Sequence, residues 1–251
     1  MSALNGAMFN FFGKKESKPA VAKEPNTAEL PLRLEAGAKA INQRLIAGLK
    51  NDKGVHFESF LTVLGALGGF SCQVSVCEQE RAGTLPHPGP GKTVWAVANG
   101  ANGKRYYFGD ALNQPLVEGP LSIWSLVVGI LQHLGADRPD IASIFQHIAS
   151  TVGTDGFGVP RIPEDHAPGD LPLNYIKVVW PHVFPLVKEI SAKPADWPVV
   201  FGIAMQQAIM MGKDMVPPAL CASILMECAV PMSKVDLPEF NVPTFEPGPV
   251  A

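Results

Sequence analysis

Hydrophobic side chains recur every three to four residues along most of this chain, which is the pattern of amphipathic helices. The spacing predicts one helix at about 32–50 and a second that begins near residue 56. Beyond Pro120 it predicts further helices at about 120–134, 139–152, 172–192, 197–211 and 217–229. The chain is therefore expected to be predominantly helical.

Aspartates and prolines mark the starts of several of these helices. Asp137, Asp170 and Asp196 each stand two residues before a proline where an apolar run begins. Aspartate accepts hydrogen bonds from the free N–H groups of a first turn, and proline has no N–H group to leave unpaired there. We therefore predict aspartate caps at these three starts. Two further prolines, Pro181 and Pro185, are expected to kink the helix that follows Asp170.

The segment at 70–78 allows two interpretations. Hydrophobic and polar residues alternate here, as in a β-strand. The helical spacing also runs unbroken from Phe57 to Cys77, which favours a helix and leaves a third strand as the alternative. A helix would align a seam of small residues suited to close packing: Gly65, Gly68, Gly69, Cys72 and Ser75.

The clearest β signal lies at about 93–109. Two runs of β-forming residues flank Asn102 and Gly103, a pair that favours the positive φ angles of a two-residue hairpin turn. Such a turn would place Val97 opposite Phe108. An isolated hairpin is marginally stable, so one of its faces is expected to pack on the helices. That face would carry these side chains: Trp95, Val97, Tyr106 and Phe108.

These patterns predict an α+β fold, predominantly helical, with one antiparallel hairpin packed on helices. Residues 1–29 are rich in Lys, Glu, Pro and Ala and are expected to form a mobile leader and linker. Within it, the apolar segment at 8–12 is too short for stable membrane anchoring by itself. Residues 30–235 are expected to form a single globular domain, and residues 236–251 a Pro-rich extended tail.

Composition narrows the classes of function. Charged residues make up 17% of the chain, against about 25% in typical domains, so self-association through a low-charge helical surface is expected. A net charge of −3 gives no electrostatic footprint for nucleic acid. No apolar run reaches the roughly 20 residues of a membrane span, and the N-terminus has no signal-peptide pattern. The four cysteines show no paired spacing, which predicts a reducing, cytoplasmic setting and no cofactor motif.

A 20-residue loop at 153–172 is the most unusual segment of the chain. Compact domains seldom keep so long a stretch without regular structure unless it binds or catalyses. His166, with Asp165 or Asp155 as its partner, is the candidate acid–base group. Three other residues of this loop are candidates for ligand binding: Phe157, Arg161 and Glu164.

Two other motifs have ordinary explanations. The run at 87–93 resembles a phosphate-binding loop, but its first glycine would fall at Pro86 and a strand, not a helix, is expected after it. Six methionines and two cysteines fall between Met205 and Met232. Such residues suit Cu(I), but they are also common core and interface residues, and no paired metal-binding spacing is present, so no metal site is predicted.

The leading functional hypothesis is a soluble, homo-oligomeric binding or interaction module whose small-molecule ligand, if it has one, the sequence does not identify. The first alternative is an enzyme with an acid–base site under the 153–172 loop. The second alternative is a soft-metal-binding protein that uses the Met/Cys-rich helices. No catalytic motif favours the enzyme, and Cys221 and Cys228 would lie on one helix face for the metal alternative.

Overall fold

The computed structural model describes residues 29–87, 89–91 and 94–240, and within them the protein is helical apart from one two-stranded antiparallel sheet. The expected α+β fold with a single hairpin is therefore confirmed. The helices are α1 (Glu29–Leu49), α2 (Phe57–Arg81), α3 (Asp110–Asn113), α4 (Ile123–Leu134), α5 (Ile141–Thr151), α6 (Pro172–Ile190), α7 (Trp197–Gly212) and α8 (Pro218–Met232). The strands are β1 (Ala96–Asn99) and β2 (Arg105–Phe108), and a π-helical turn spans Gln114–Glu118.

Helix α2 forms the centre of the molecule. Every residue from Ser59 to Cys77 is buried, including the polar residues among them. The segment at 70–78 is therefore helical, and the alternative of a third strand is wrong. Because α2 is buried on all sides, its polar residues are buried together with its apolar ones. The alternation of apolar and polar residues therefore does not indicate an exposed face here.

Glycines bring α2 into direct contact with α8. A Cβ atom on Gly65 would lie 2.5 Å from the carbonyl oxygen of Leu225, and one on Gly69 would lie 1.9 Å from that of Ala229. Gly68 points instead to α7, where a Cβ atom would lie 2.3 Å from Cε of Met205. The small residues of α2 therefore form a seam for close packing, and this seam contacts both α7 and α8.

The hairpin register differs by one residue from the prediction. Val97 pairs with Tyr107, and Ala98 pairs with Tyr106. The cause is a wider turn, in which Gly100 N–H donates to the Lys104 carbonyl (2.8 Å) and Gly103, at φ +76°, bends the chain. A shift of one residue changes which side chains share a face.

This register divides the predicted aromatic face between the two sides of the hairpin. The ring of Trp95 packs edge-on to Tyr107 at 6.1 Å, whereas Tyr106 packs edge-on to Phe157 of the long loop at 4.6 Å. The hairpin therefore contacts the rest of the protein on both of its faces. Tyr107 N–H also donates to the carbonyl of Lys234, just after α8, at 2.9 Å.

Prolines stand in the first turn of α6, α7 and α8, as predicted, whereas α4 and α5 begin three and two residues after Pro120 and Pro139. The three aspartates do not cap these helices. The N-cap of α5 is Asp140, which accepts from Ser143 N–H at 3.0 Å, in place of Asp137. Asp170 precedes the cap residue of α6 and binds the Asn174 side chain. Asp196 accepts from the Ser191 hydroxyl and makes no side-chain cap. Helix α6 continues through both of its internal prolines.

The chain after α8 returns to the core. Gln73 of α2 donates to the Val235 carbonyl at 2.9 Å, and Leu237 and Phe240 are buried in a short 3-10 helix. Folded structure thus extends to Phe240, past the boundary expected at 235. Residues 1–28 and 241–251, which include the apolar segment at 8–12, lie outside the described residues.

Two helical segments are long and apolar enough to cross a membrane by composition alone. The first, α2, is entirely enclosed by other helices, as a core helix is. The second, Asp110–Leu134, passes through the π-helical turn and the non-helical residues 119–122 before α4 begins. Both are weak evidence for a membrane span.

We predict that Gly69→Ala destabilises the fold although alanine favours helices. The added Cβ atom meets the α8 backbone, which cannot move aside as a flexible side chain would. Overpacking of this kind should lower the free energy of unfolding by about 3 kcal/mol, measured by chemical denaturation.

Gly48→Ala in α1 is the matched control, because a Cβ atom there meets nothing within 4 Å. It should raise stability by up to about 1 kcal/mol, the usual gain of alanine over glycine in a helix. Equal effects of the two substitutions would contradict the close contact between α2 and α8.

Candidate functional site

The residues predicted as a site in the long loop are distributed over three separate places. Arg161 binds an acid on α8, His166 binds an acid on α2, and Asp155 and Phe157 line a cleft beside the hairpin. Glu164 is exposed in a short 3-10 helix. The structure therefore does not assemble these side chains into one site.

Arg161 attaches the loop to α8 through a nearly buried carboxylate. Its Nε and Nη2 atoms donate to Oε1 of Glu227 at 2.9 and 2.7 Å, and its backbone N–H donates to Oε2 at 3.3 Å. Nη1 also donates to the Ser143 hydroxyl at 3.2 Å. The Glu227 side chain is 6% exposed, so the guanidinium satisfies a charge that would otherwise be buried alone. Arg161 thus binds protein groups through its guanidinium, and 42% of its side chain remains exposed.

His166 attaches the loop to the first turn of α2. Its Nδ1 atom lies 2.8 Å from Oε1 of Glu58, and because a carboxylate only accepts, Nδ1 is the donor. Nε2 lies 3.8 Å from the exposed carboxylate of Asp165. Burial is the largest single effect on the pKa of Glu58 and raises it, but the hydrogen bonds from His166 and the backbone, together with the charges of His56 and His166, outweigh burial and hold the pKa below its usual 4.5. The stronger partner of His166 is therefore Glu58, not either aspartate.

A second histidine extends this cluster at the start of α2. His56 is the N-cap, and its Nδ1 atom accepts from Ser59 N–H at 3.3 Å and from the Ser59 hydroxyl at 2.9 Å. That leaves the ring hydrogen on Nε2, 3.5 Å from Oε2 of Glu58. The Ser59 hydroxyl in turn accepts from Gly169 N–H at 2.8 Å. In this network of hydrogen bonds, each donor has an acceptor, and no atom is required both to donate and to accept the same hydrogen.

Asp155 and Phe157 line a cleft of about 250 Å³ between the hairpin, the long loop and the start of α6. The charged groups on its walls other than Asp155 already have partners. Lys104 pairs with Glu239 at 3.1 Å, and Arg105 pairs with Asp236 at 3.3 Å. The cleft is slightly smaller than typical ligand pockets, which begin at about 300 Å³.

Most of the sulfur-containing residues pack in the core. Met205, Met226 and Met232 are buried, and burial also raises the pKa of the Cys221 thiol to about 12 and that of Cys228 further. Metal binding needs the thiolate, which such burial disfavours. Among the described residues, no group of three or more His, Cys, Asp or Glu side chains could hold a metal ion.

Lys234 is a buried lysine that sequence reasoning did not single out. Its ammonium donates to Oδ1 of Asn113 at 3.1 Å and lies 5.9 Å from the ring centroids of Phe108 and Phe145. Desolvation lowers its pKa to about 8. Because its backbone carbonyl also accepts from the hairpin, Lys234 joins β2 to α3 and α5.

Glu58 and Glu227, the two acids that hold the loop, were also missed. Neither acid has a neighbour in sequence that would have indicated a functional or loop-binding role. Glu58 is an ordinary acid in a first helical turn, and Glu227 is a single charge in the otherwise apolar α8. The isolation of Glu227 in an apolar helix was the only signal available, because such a charge needs a partner from elsewhere.

Compared with known proteins, the chain matches no family model, no curated protein and no solved structure.

We predict that Glu227→Gln lowers the free energy of unfolding by about 2 kcal/mol or more. Breaking a buried ion pair usually costs about 3–5 kcal/mol. We expect a smaller loss here because the half-exposed guanidinium of Arg161 can return to water. Denaturation at neutral pH measures the loss. Lys104→Gln, which breaks the more exposed pair with Glu239, should cost less than about 1 kcal/mol.

We also predict that Glu58 contributes to stability above pH 4.5 and that this contribution is lost on acidification. Its folded-state pKa is lower than its usual value, so the unfolded chain binds more protons as the pH falls through 4.5 and below. Glu58→Gln should flatten the decline of stability between about pH 5 and pH 3, measured by denaturation at several pH values.

Asp165→Asn is the matched control, since Asp165 contacts the same imidazole but is 81% exposed. It should leave the pH profile close to that of the wild type. A profile unchanged by Glu58→Gln would show that the contact between Glu58 and His166 does not stabilise the fold.

Proposed function

We propose that the protein is a soluble, cytoplasmic binding and interaction module that associates with itself. The observation that carries this proposal is an exposed methionine cluster at the end of α7. Met210, Met211 and Met215 lie within six residues and are 36%, 47% and 63% exposed, although α7 is otherwise largely buried. Methionine is flexible and polarizable, and it is common at adaptable contact surfaces.

The low charge of the whole chain supports the same proposal. Exposed apolar side chains lose solvent contact when a second copy covers them, and each one fully buried contributes about 1.5–3 kcal/mol. The cytoplasmic location is supported by the cysteines, since all four are buried, none forms a disulfide, and none needs an oxidising compartment.

An acid–base enzyme is the second candidate, favoured by the contact between Glu58 and His166. The two groups come from separate elements, as working pairs usually do, and a quarter of the His166 side chain is exposed. Asp155 lines a cleft that His166 does not line, so Glu58 takes the partner role in this candidate. Hydrolysis of a panel of model esters that survives His166→Asn would exclude it.

We predict that the wild type sediments as a concentration-dependent oligomer and that the double variant Met211→Lys, Met215→Lys sediments as a monomer of about 27 kDa. Charges in the core of an interface carry a desolvation cost that opposes association. Analytical ultracentrifugation over a hundredfold range of concentration measures the mass.

Leu32→Lys on α1 is the control, because Leu32 is just as exposed but lies on a different helix. It should associate as the wild type does. A wild type that remains monomeric at every concentration would overturn self-association, and a monomer produced by Leu32→Lys alone would place the interface elsewhere.

A further inference from the structure

An apolar groove of about 450 Å³ runs between the second half of α1 and the middle of α6. It falls within the size range of small-molecule pockets, which the cleft beside the hairpin does not reach. Leu45 and Leu49 line one wall, and Val178 and Val183 line the other. Val178 is 67% exposed, which is unusual for a valine in the middle of a packed helix.

Gly48 also lines this groove and is exposed. A Cβ atom there would meet no other atom within 4 Å, and glycine inside a helix costs about 1 kcal/mol relative to alanine. Close packing therefore does not explain Gly48, in contrast to Gly65 and Gly69 of α2. Without a side chain at this position, the α1 backbone is open to an occupant of the groove.

The polar side chains that line the groove are both basic. They are Arg44 and His182, and no acidic residue lines it. Among the residues that the structure describes, neither forms a hydrogen bond or an ion pair.

We propose that this groove binds a free long-chain carboxylate. The alkyl chain lies along the valines and leucines over Gly48, and Arg44 binds the carboxylate. An apolar channel with a guanidinium at its edge matches a ligand that is apolar along its length and anionic at one end. The site is independent of the methionine cluster on α7.

Titration with dodecanoate, below its critical micelle concentration and followed by calorimetry and melting temperature, tests the proposal. The wild type should bind saturably and melt at a higher temperature. Dodecanol has the same chain with a neutral head and should bind about two- to fivefold more weakly, and dodecyltrimethylammonium, whose cationic head Arg44 repels, should bind more weakly still. Equal binding of all three would overturn the role assigned to Arg44.

Two variants locate the site. Gly48→Leu adds a bulky side chain to the groove without a clash at Cβ and should weaken dodecanoate binding more than tenfold, whereas the smaller Gly48→Ala should fold and weaken binding less. Arg44→Gln should weaken binding about two- to fivefold, the range of an exposed ion pair. Arg33→Gln, on the same helix but eleven residues away, should have no effect.

Three results would overturn the proposal. One is the absence of saturable binding by the wild type. Another is unchanged binding by Gly48→Leu when its melting temperature shows that the variant is folded. The third is a loss of self-association in Gly48→Leu without added dodecanoate, which would show that a second copy of the chain covers the groove.

Discussion

The fold depends on the backbone contact between α2 and α8. Gly65 and Gly69 have no side chain, so the carbonyl groups of Leu225 and Ala229 approach the surface of α2 directly. This approach brings the end of α8 against the middle of the central helix. The chain that follows, through Lys234, then lies where it hydrogen-bonds to the hairpin and to Gln73.

The long loop owes its order to single polar contacts with the helices. Two acids on different helices, Glu227 and Glu58, each accept hydrogen bonds from one loop residue. Phe157 adds an aromatic contact with the hairpin. The stretch without regular structure is thus held at three points, which is why its charged residues face separate parts of the protein and do not converge. A long loop rich in titratable groups is consistent with this structural role as well as with catalysis.

The local sequence pattern predicted the helices correctly, but it did not predict how the two strands pair or which residues cap the helices. The unbroken spacing from Phe57 to Cys77 identified α2 because a helix needs only its own hydrogen bonds. The hairpin register failed because it depended on whether the turn held two residues or three, and Asn102-Gly103 is compatible with both. The aspartate caps failed because short polar side chains have several competing partners nearby in sequence, and Asp170 and Asp196 bond to side chains four and five residues away.

The sequence by itself determined the class of fold, the helical elements and the small-residue seam of α2, since each follows from the spacing of nearby residues. Only the tertiary structure decided the partners of Arg161 and His166, which stand 66 and 108 residues from the acids they bind. It also decided that Gly48 borders open space while Gly69 touches a backbone, although both are glycines in helices. The physical reason is that the charge and size of a side chain are local properties, whereas its contacts depend on which distant elements fold against it.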